Sequence, residues 1–197
     1  MRVFLQKLLA CCLLFCLMLA PARAEMPSSP EERYAFELSL LNSYLQNGVT
    51  SEGLDIHGIY DTFAENGNIG RHSTEFRIYA ETLCMIEDED FAAAKRNCEN
   101  LGSSSSFAEF RAYLEDGEEL EAMGLYAIGT IDELAQYIEA RESEAMGLYE
   151  EAARLYGECQ RFFDSYDRRS RMQEMLTGTF AWEIHEGDAD DHVAFCV

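Results

Sequence analysis

The chain has 197 residues, with 37 acidic residues against 15 basic ones, so its formal net charge is −22. Hydrophobic residues make up 48% of the sequence, and only three residues are proline. This apolar share is enough for a folded core and excludes a wholly disordered chain. The negative charge also argues against nucleic acid as a partner, because binding a polyanion requires a basic surface.

Residues 1–24 have the layout of a secretory signal peptide. Two basic residues precede an apolar run of about 13 residues, which is shorter than a membrane span. Small residues then occupy the two positions that a signal peptidase requires, so we expect cleavage after Ala24. The resulting chain would be secreted or extracytoplasmic, without a transmembrane segment. A lipoprotein site at Cys11 is the alternative, but it would cut inside the apolar run.

An N-terminal pair of helices is predicted within residues 25–72. The sequence Ser29-Pro30-Glu31-Glu32 combines a capping hydroxyl, a proline at the first helical position and a glutamate at the third. Apolar residues then recur at helical spacing until Asn47-Gly48 ends the first helix. The second helix is predicted from Ser51 to Asn66-Gly67.

Further helices are predicted between residues 73 and 176, where apolar residues recur at helical spacing. Their predicted bounds are residues 73–88, 90–101, 107–123, 131–146 and 148–163. The turns between them are only a few residues long, so neighbouring helices should lie antiparallel.

Residues 177–197 change character and alternate between apolar and polar side chains on either side of an acidic turn. This pattern predicts a β-hairpin. An isolated two-stranded hairpin is marginally stable in water, so it would pack on the helices, swap into a partner, or begin a β domain that is truncated here. The predicted fold class is therefore all-α, with antiparallel helix pairs stacked as a short α-solenoid and a small C-terminal β-hairpin.

The hexapeptide Glu-Ala-Met-Gly-Leu-Tyr occurs twice, at residues 121–126 and 144–149. A second register aligns two longer segments, in which Phe91 corresponds to Tyr149 and Ala94 to Ala152. In both segments a small alanine would let two helices approach closely, while an aromatic ring fills the space beside the turn. This pattern predicts that these four are repeat-packing residues.

The segment Gly147-Leu-Tyr-Glu-Glu-Ala-Ala-Arg-Leu-Tyr-Gly-Glu-Cys159 resembles the second helix and exit turn of a tetratricopeptide-type repeat of secreted bacterial proteins. Residues 89–94 resemble a weaker copy, and the resemblance covers about residues 57–168. Three departures stand out: Glu89 replaces the glycine that the family favours, the closing proline is absent, and residues 107–131 fit no unit.

The resemblance implies a concave surface that binds peptides or partner domains. If the family's groove transfers to this chain, it would include Tyr79, Leu83, Tyr137 and Arg141. The alternative is that these four are ordinary packing or surface residues.

Few residues in the sequence point to chemistry. The four histidines show no metal-ligand spacing, and no nucleophile elbow, phosphate loop or dinucleotide motif occurs, so we expect no metal and no cofactor. Four cysteines follow the signal peptide. A disulfide between Cys84 and Cys98 is possible, because they fall on two adjacent antiparallel helices, and free buried thiols are the alternative.

These observations favour an exported protein-interaction module without catalytic activity, whose partner is an unidentified protein or peptide. Two alternatives remain open. The helices could be a spacer or sensor region of a larger extracytoplasmic protein, or a carboxylate pair among the 37 acids could support a hydrolase.

Overall fold

The computed structural model describes residues 29–50, 52–67 and 70–178. Over these residues the chain is helical and contains no strand, which confirms the helical part of the predicted fold. The helices are α1 (Pro30–Asn47), α2 (Ile56–Asn66), α3 (Ser73–Glu87), α4 (Phe91–Ser103), α5 (Ala108–Asp116), α6 (Glu118–Ala122), α7 (Ile131–Ala145), α8 (Tyr149–Glu158) and α9 (Ser165–Thr177). None of these helices is long and apolar enough to cross a bilayer.

Both ends of the chain carry predictions that the structure does not describe. The predicted signal peptide, residues 1–24, lies outside the described residues. The predicted hairpin spans residues 177–197, but α9 continues through Thr177 and is capped by Gly178, and residues 179–197 lie outside the described residues.

Local capping signals fix the starts of the first two helices. The Ser29 hydroxyl accepts a hydrogen bond from the Glu32 amide at 3.1 Å, and the Glu32 carboxylate accepts one from the Ser29 amide at 3.2 Å. This capping box starts α1 where the sequence predicts. The second helix starts at Ile56 rather than at Ser51, because Asp55 caps it by accepting a hydrogen bond from the Gly58 amide at 2.9 Å.

Two helix pairs recur in the same register. The pair α3 and α4 is followed by the pair α7 and α8, and the offset from Ser73 to Ile131 equals that from Phe91 to Tyr149. Each helix packs against the next in the series α2, α3, α4, α7, α8 and α9. This arrangement is consistent with a helical solenoid. Because α4 packs directly on α7, residues 104–130 form an insertion between the two pairs.

The repeated hexapeptide encodes a helix stop. In the first copy Gly124 adopts a φ of +76°, and the Leu125 amide donates to the Leu120 carbonyl at 2.8 Å. In the second copy Gly147 adopts a φ of +74°, and the Leu148 amide donates to the Ser143 carbonyl at 2.9 Å. This hydrogen bond and a left-handed glycine define the Schellman motif, which satisfies the last carbonyls of a helix.

Besides α2, two of the predicted helices have the wrong bounds. The helix predicted over residues 107–123 is broken at Gly117, whose φ of +67° ends α5 before α6 begins. The helix predicted to end at Phe163 ends at Glu158, and a turn leads into α9. Helix α9 is absent from the predicted elements because its exposed face is polar and its apolar residues are few.

The middle of helix α1, residues 37–45, lies in the interior of the molecule. Between residues 37 and 45 it is buried on most of its circumference, with Ser39 as the exposed exception. A helix that is buried nearly all round is enclosed by other elements. Asn42 ties it to the insertion by accepting a hydrogen bond from the Ala127 amide at 2.9 Å and donating one to the Gly124 carbonyl at 3.3 Å.

Candidate functional site

The four residues predicted to line a concave groove lie on α3 and α7 and are all buried. Tyr79 and Leu83 on α3 correspond in the repeat register to Tyr137 and Arg141 on α7. The most exposed of the four, Arg141, has only 8% of its surface accessible. These side chains therefore face the interior of the protein and present no open groove.

Other parts of the same chain cover this inner face. The Tyr79 hydroxyl donates to the carbonyl of Gly129 in the insertion, at 3.2 Å. The Tyr137 ring packs against Phe163 with centroids 5.8 Å apart, and Phe163 in turn packs against the Tyr44 ring of α1 at 5.0 Å. The insertion, the turn before α9 and α1 together fill the space where the family resemblance places a ligand.

A network of charged and phenolic groups joins α3, α7 and α9 beside this filled face. The Tyr137 hydroxyl donates to an Asp164 carboxylate oxygen at 2.7 Å, and Arg168 donates to the other oxygen at 2.7 Å. Arg141 donates to Glu87 at 3.0 Å and to the Tyr137 hydroxyl at 3.3 Å. The guanidinium groups are thus paired within the protein, and the network fastens three helices together.

A small cavity of about 210 Å³ adjoins this network. Its walls combine two arginines with two carboxylates and two apolar side chains, namely Glu89, Phe91, Arg141, Glu144, Ala145 and Arg168. Burial raises the pKa of the Tyr137 phenol, and the charge of Asp164 raises it further. Tyr137 therefore stays protonated and acts as a hydrogen-bond donor, which suits a structural contact.

The four predicted repeat-packing residues occupy equivalent places in the two helix pairs. Ala94 and Ala152 are completely buried on α4 and α8. Phe91 and Tyr149 begin these helices and are partly buried against the core.

The three cysteines within the described residues are free and buried. The Cys84 thiol donates to the carbonyl of Ile56 at 3.5 Å, whereas the Cys98 thiol donates to the carbonyl of Ile131 at 3.6 Å. Cys84 and Cys98 therefore do not form the possible disulfide in this structure, because the two thiols point to different neighbouring helices. Burial raises the pKa of both thiols to about 12.

An open concave feature lies between α4 and α7, a cleft with a volume of about 730 Å³. The face of α7 that lines it is opposite the face that carries Tyr137 and Arg141. We call it the α4–α7 cleft and define it by its lining residues, Lys95, Cys98, Glu99, Gly102, Ser103, Ile131, Asp132, Ala135, Ile138 and Glu139.

The α4–α7 cleft combines an apolar floor with a charged rim. Ile131 and Ile138 are buried beneath it, whereas Glu99, Asp132 and Glu139 are exposed around it. Lys95 closes one end through an ion pair with Glu142 on α7.

This cleft is not among the sites predicted from the sequence. The sequence feature that indicates it is Ala135, which is small, whereas the equivalent positions of α3 and α9 carry arginine.

A second cleft of about 620 Å³ lies between the start of α8 and the end of α9. Leu148 and Leu176 line it, and each is 51% exposed. The described residues end at Gly178, two residues after Leu176. The exposed fractions of Leu148 and Leu176 therefore refer to the described residues only.

No group of three or more metal-ligating side chains occurs within the part of the chain that the structure describes. Comparison of the chain with protein-family models, curated proteins and solved structures finds no match in any of the three.

Proposed function

We propose that the protein is an exported interaction module built from tetratricopeptide-like helix pairs, and that it binds a peptide segment of a partner in the α4–α7 cleft. Export rests on the signal-peptide pattern of residues 1–24. The repeat interpretation is supported by the equal offsets between the two helix pairs. The offset from the start of α7 to the start of α9 also matches the repeat length of that family, about 34 residues.

Burial favours the α4–α7 cleft over the inner face as the surface on which a partner segment lies. The inner face, which the family would use, is filled by α1 and by the insertion, and its four predicted residues are buried. A partner there would have to displace α1, which buries Leu38, Leu41, Tyr44 and Leu45. The α4–α7 cleft requires no such rearrangement, because it is open to solvent.

The single observation that carries the proposal is the construction of this cleft. Peptide and ligand sites are typically concave, with an apolar lining and a few polar groups that fix orientation. A cleft of about 730 Å³ is within the size range of such sites. At its floor the partly exposed Ala135 lies above the buried Ile138 and Cys98 and offers contact to an apolar side chain, and its rim offers carboxylates.

The experiment is a selection of short peptides from a random display library on immobilised residues 25–197. The affinity of the selected peptides is then measured on the variants Ala135→Phe and Ala112→Phe. The first places a ring inside the cleft, and the second makes the same substitution on the exposed side of α5. We expect at least a tenfold loss of affinity, about 1.4 kcal/mol, for Ala135→Phe and less than about twofold for Ala112→Phe.

Failure to select any peptide from the library would contradict the proposed function. So would peptides that bind wild type and Ala135→Phe equally well, since the partner segment would then lie elsewhere.

A further inference from the structure

We infer that the α4–α7 cleft accepts an arginine side chain from the partner. This inference rests on the proposed function and specifies which side chain the bound segment presents. It follows from the differences between the cleft and the corresponding interfaces elsewhere in the same stack.

The repeat register relates the helices of the stack position by position. Aligning the first residues of α3, α7 and α9, which are Ser73, Ile131 and Ser165, places Ala135 level with Arg77 on α3 and Arg169 on α9. Of these three positions, only that on α7 carries a small side chain, and it is there that the α4–α7 cleft opens.

Arg169 indicates what fits such a position. Its guanidinium carbon lies 3.3 Å from the place that a Cβ on Gly157 would take, so the side chain extends across α8. The α8–α9 interface is thereby covered by an arginine of the chain itself. In the α4–α7 interface, Ala135 is too short to make the equivalent contact, and a guanidinium from a partner can take that position.

The charges around the cleft favour the same ligand. Glu99, Asp132 and Glu139 are exposed at its rim, and the basic residue among its lining residues, Lys95, is paired with Glu142. An arginine can lay its aliphatic stem on an apolar floor while its guanidinium binds carboxylates through paired hydrogen bonds. The net charge of −22 also accelerates the encounter with a basic segment.

The test uses two pools of short peptides that differ at one central residue, which is arginine in one pool and citrulline in the other. Citrulline has nearly the same shape but no charge. We expect the arginine pool to bind full-length mature protein at least about tenfold more tightly. The variant Ala135→Arg supplies the missing side chain from within the chain, so this preference should disappear, whereas Ala112→Arg should retain it.

A second set of variants separates the effect of the carboxylates at the rim from the effect of the net charge of the protein. The triple variant Glu99→Gln, Asp132→Asn, Glu139→Gln should remove the preference for arginine. A matched triple variant at the exposed residues Glu115, Asp116 and Glu118 changes the net charge equally and should retain it.

Equal binding of the arginine and citrulline pools would overturn the inference, as would an equal loss in both triple variants. If peptides without arginine still require an unfilled cleft at Ala135, the proposed function stands and only the inference fails.

Discussion

Single buried polar groups in this chain are placed by hydrogen bonds to neighbouring helices, turns and the insertion. Tyr79 donates to the insertion, and Tyr137 donates to the turn before α9. Cys84 and Cys98 each donate to the carbonyl of the first residue of an adjacent helix, α2 and α7 respectively. Each contact satisfies a polar group that burial would otherwise leave unpaired. These residues therefore stabilise the stack rather than form a reactive site.

The thiols provide a test at this scale. Only a thiolate reacts with iodoacetamide, and a pKa of about 12 leaves roughly one Cys84 or Cys98 in ten thousand ionised at pH 8. We expect both to remain unlabelled in the native protein and to be labelled in guanidinium without a reductant. Peptide mass mapping gives the labelling of each cysteine. Failure of either to react after unfolding would reveal a disulfide.

The same pKa shift determines how stability depends on pH. The folded protein keeps these thiol protons up to about pH 12, whereas the unfolded chain releases them from about pH 9. Folding therefore binds protons in this window, and the free energy of unfolding should fall as the pH rises through it. Urea unfolding at pH 8 and pH 10 measures this loss, and equal free energies at the two values would contradict the burial of the thiols.

At the scale of helices and turns, the helix-ending motif of the two hexapeptide copies occurs a third time. In this third copy the residue at the left-handed position is unfavourable there. The turn between α3 and α4 has the hydrogen bond of the other two stops, with the Asp90 amide donating to the Met85 carbonyl at 2.8 Å. Glu89 occupies the left-handed position of this turn, with a φ of +59°. The equivalent residue in the second helix pair is Gly147. A side chain at this φ costs about 1 kcal/mol or more.

Replacing Glu89 with glycine should therefore stabilise the protein. We expect the free energy of unfolding of Glu89→Gly to rise by about 0.5–1 kcal/mol, with a Tm increase of about 2 °C, measured by thermal unfolding. The reciprocal variant Gly147→Glu is the matched control and should lower the Tm. Unchanged stability in both variants would contradict the assignment of these turns.

Helix bounds are predictable from the sequence where the signal is local. Capping residues and glycine stops predicted the bounds of α1, α3, α4 and α7 within two residues. The two hexapeptide copies show that local sequence predicts a helix end but not the burial of the residues that follow it. Leu125 in the first copy is 4% exposed, because this part of the insertion packs into the core, whereas Leu148 in the second copy is 51% exposed. Identical residues thus form the same turn, and packing with distant residues decides their burial.

For the molecule as a whole, the arrangement of α1 determines whether the inner face of the stack is open to solvent. The shared register of the α3–α4 and α7–α8 pairs is readable from the sequence. The occupation of the inner face by α1 is not, because it depends on contacts such as those from Asn42 to residues 124 and 127. For this reason we propose the α4–α7 cleft, and not the concave groove, as the surface that binds a partner.

Amide hydrogen exchange with and without a selected peptide tests this central claim most directly. Binding in the α4–α7 cleft should slow exchange in α4 and α7 and leave that of α1 unchanged. Faster exchange in α1, together with new protection around Tyr79 and Leu83, would show that the partner displaces α1 from the inner face, and would contradict binding in the cleft.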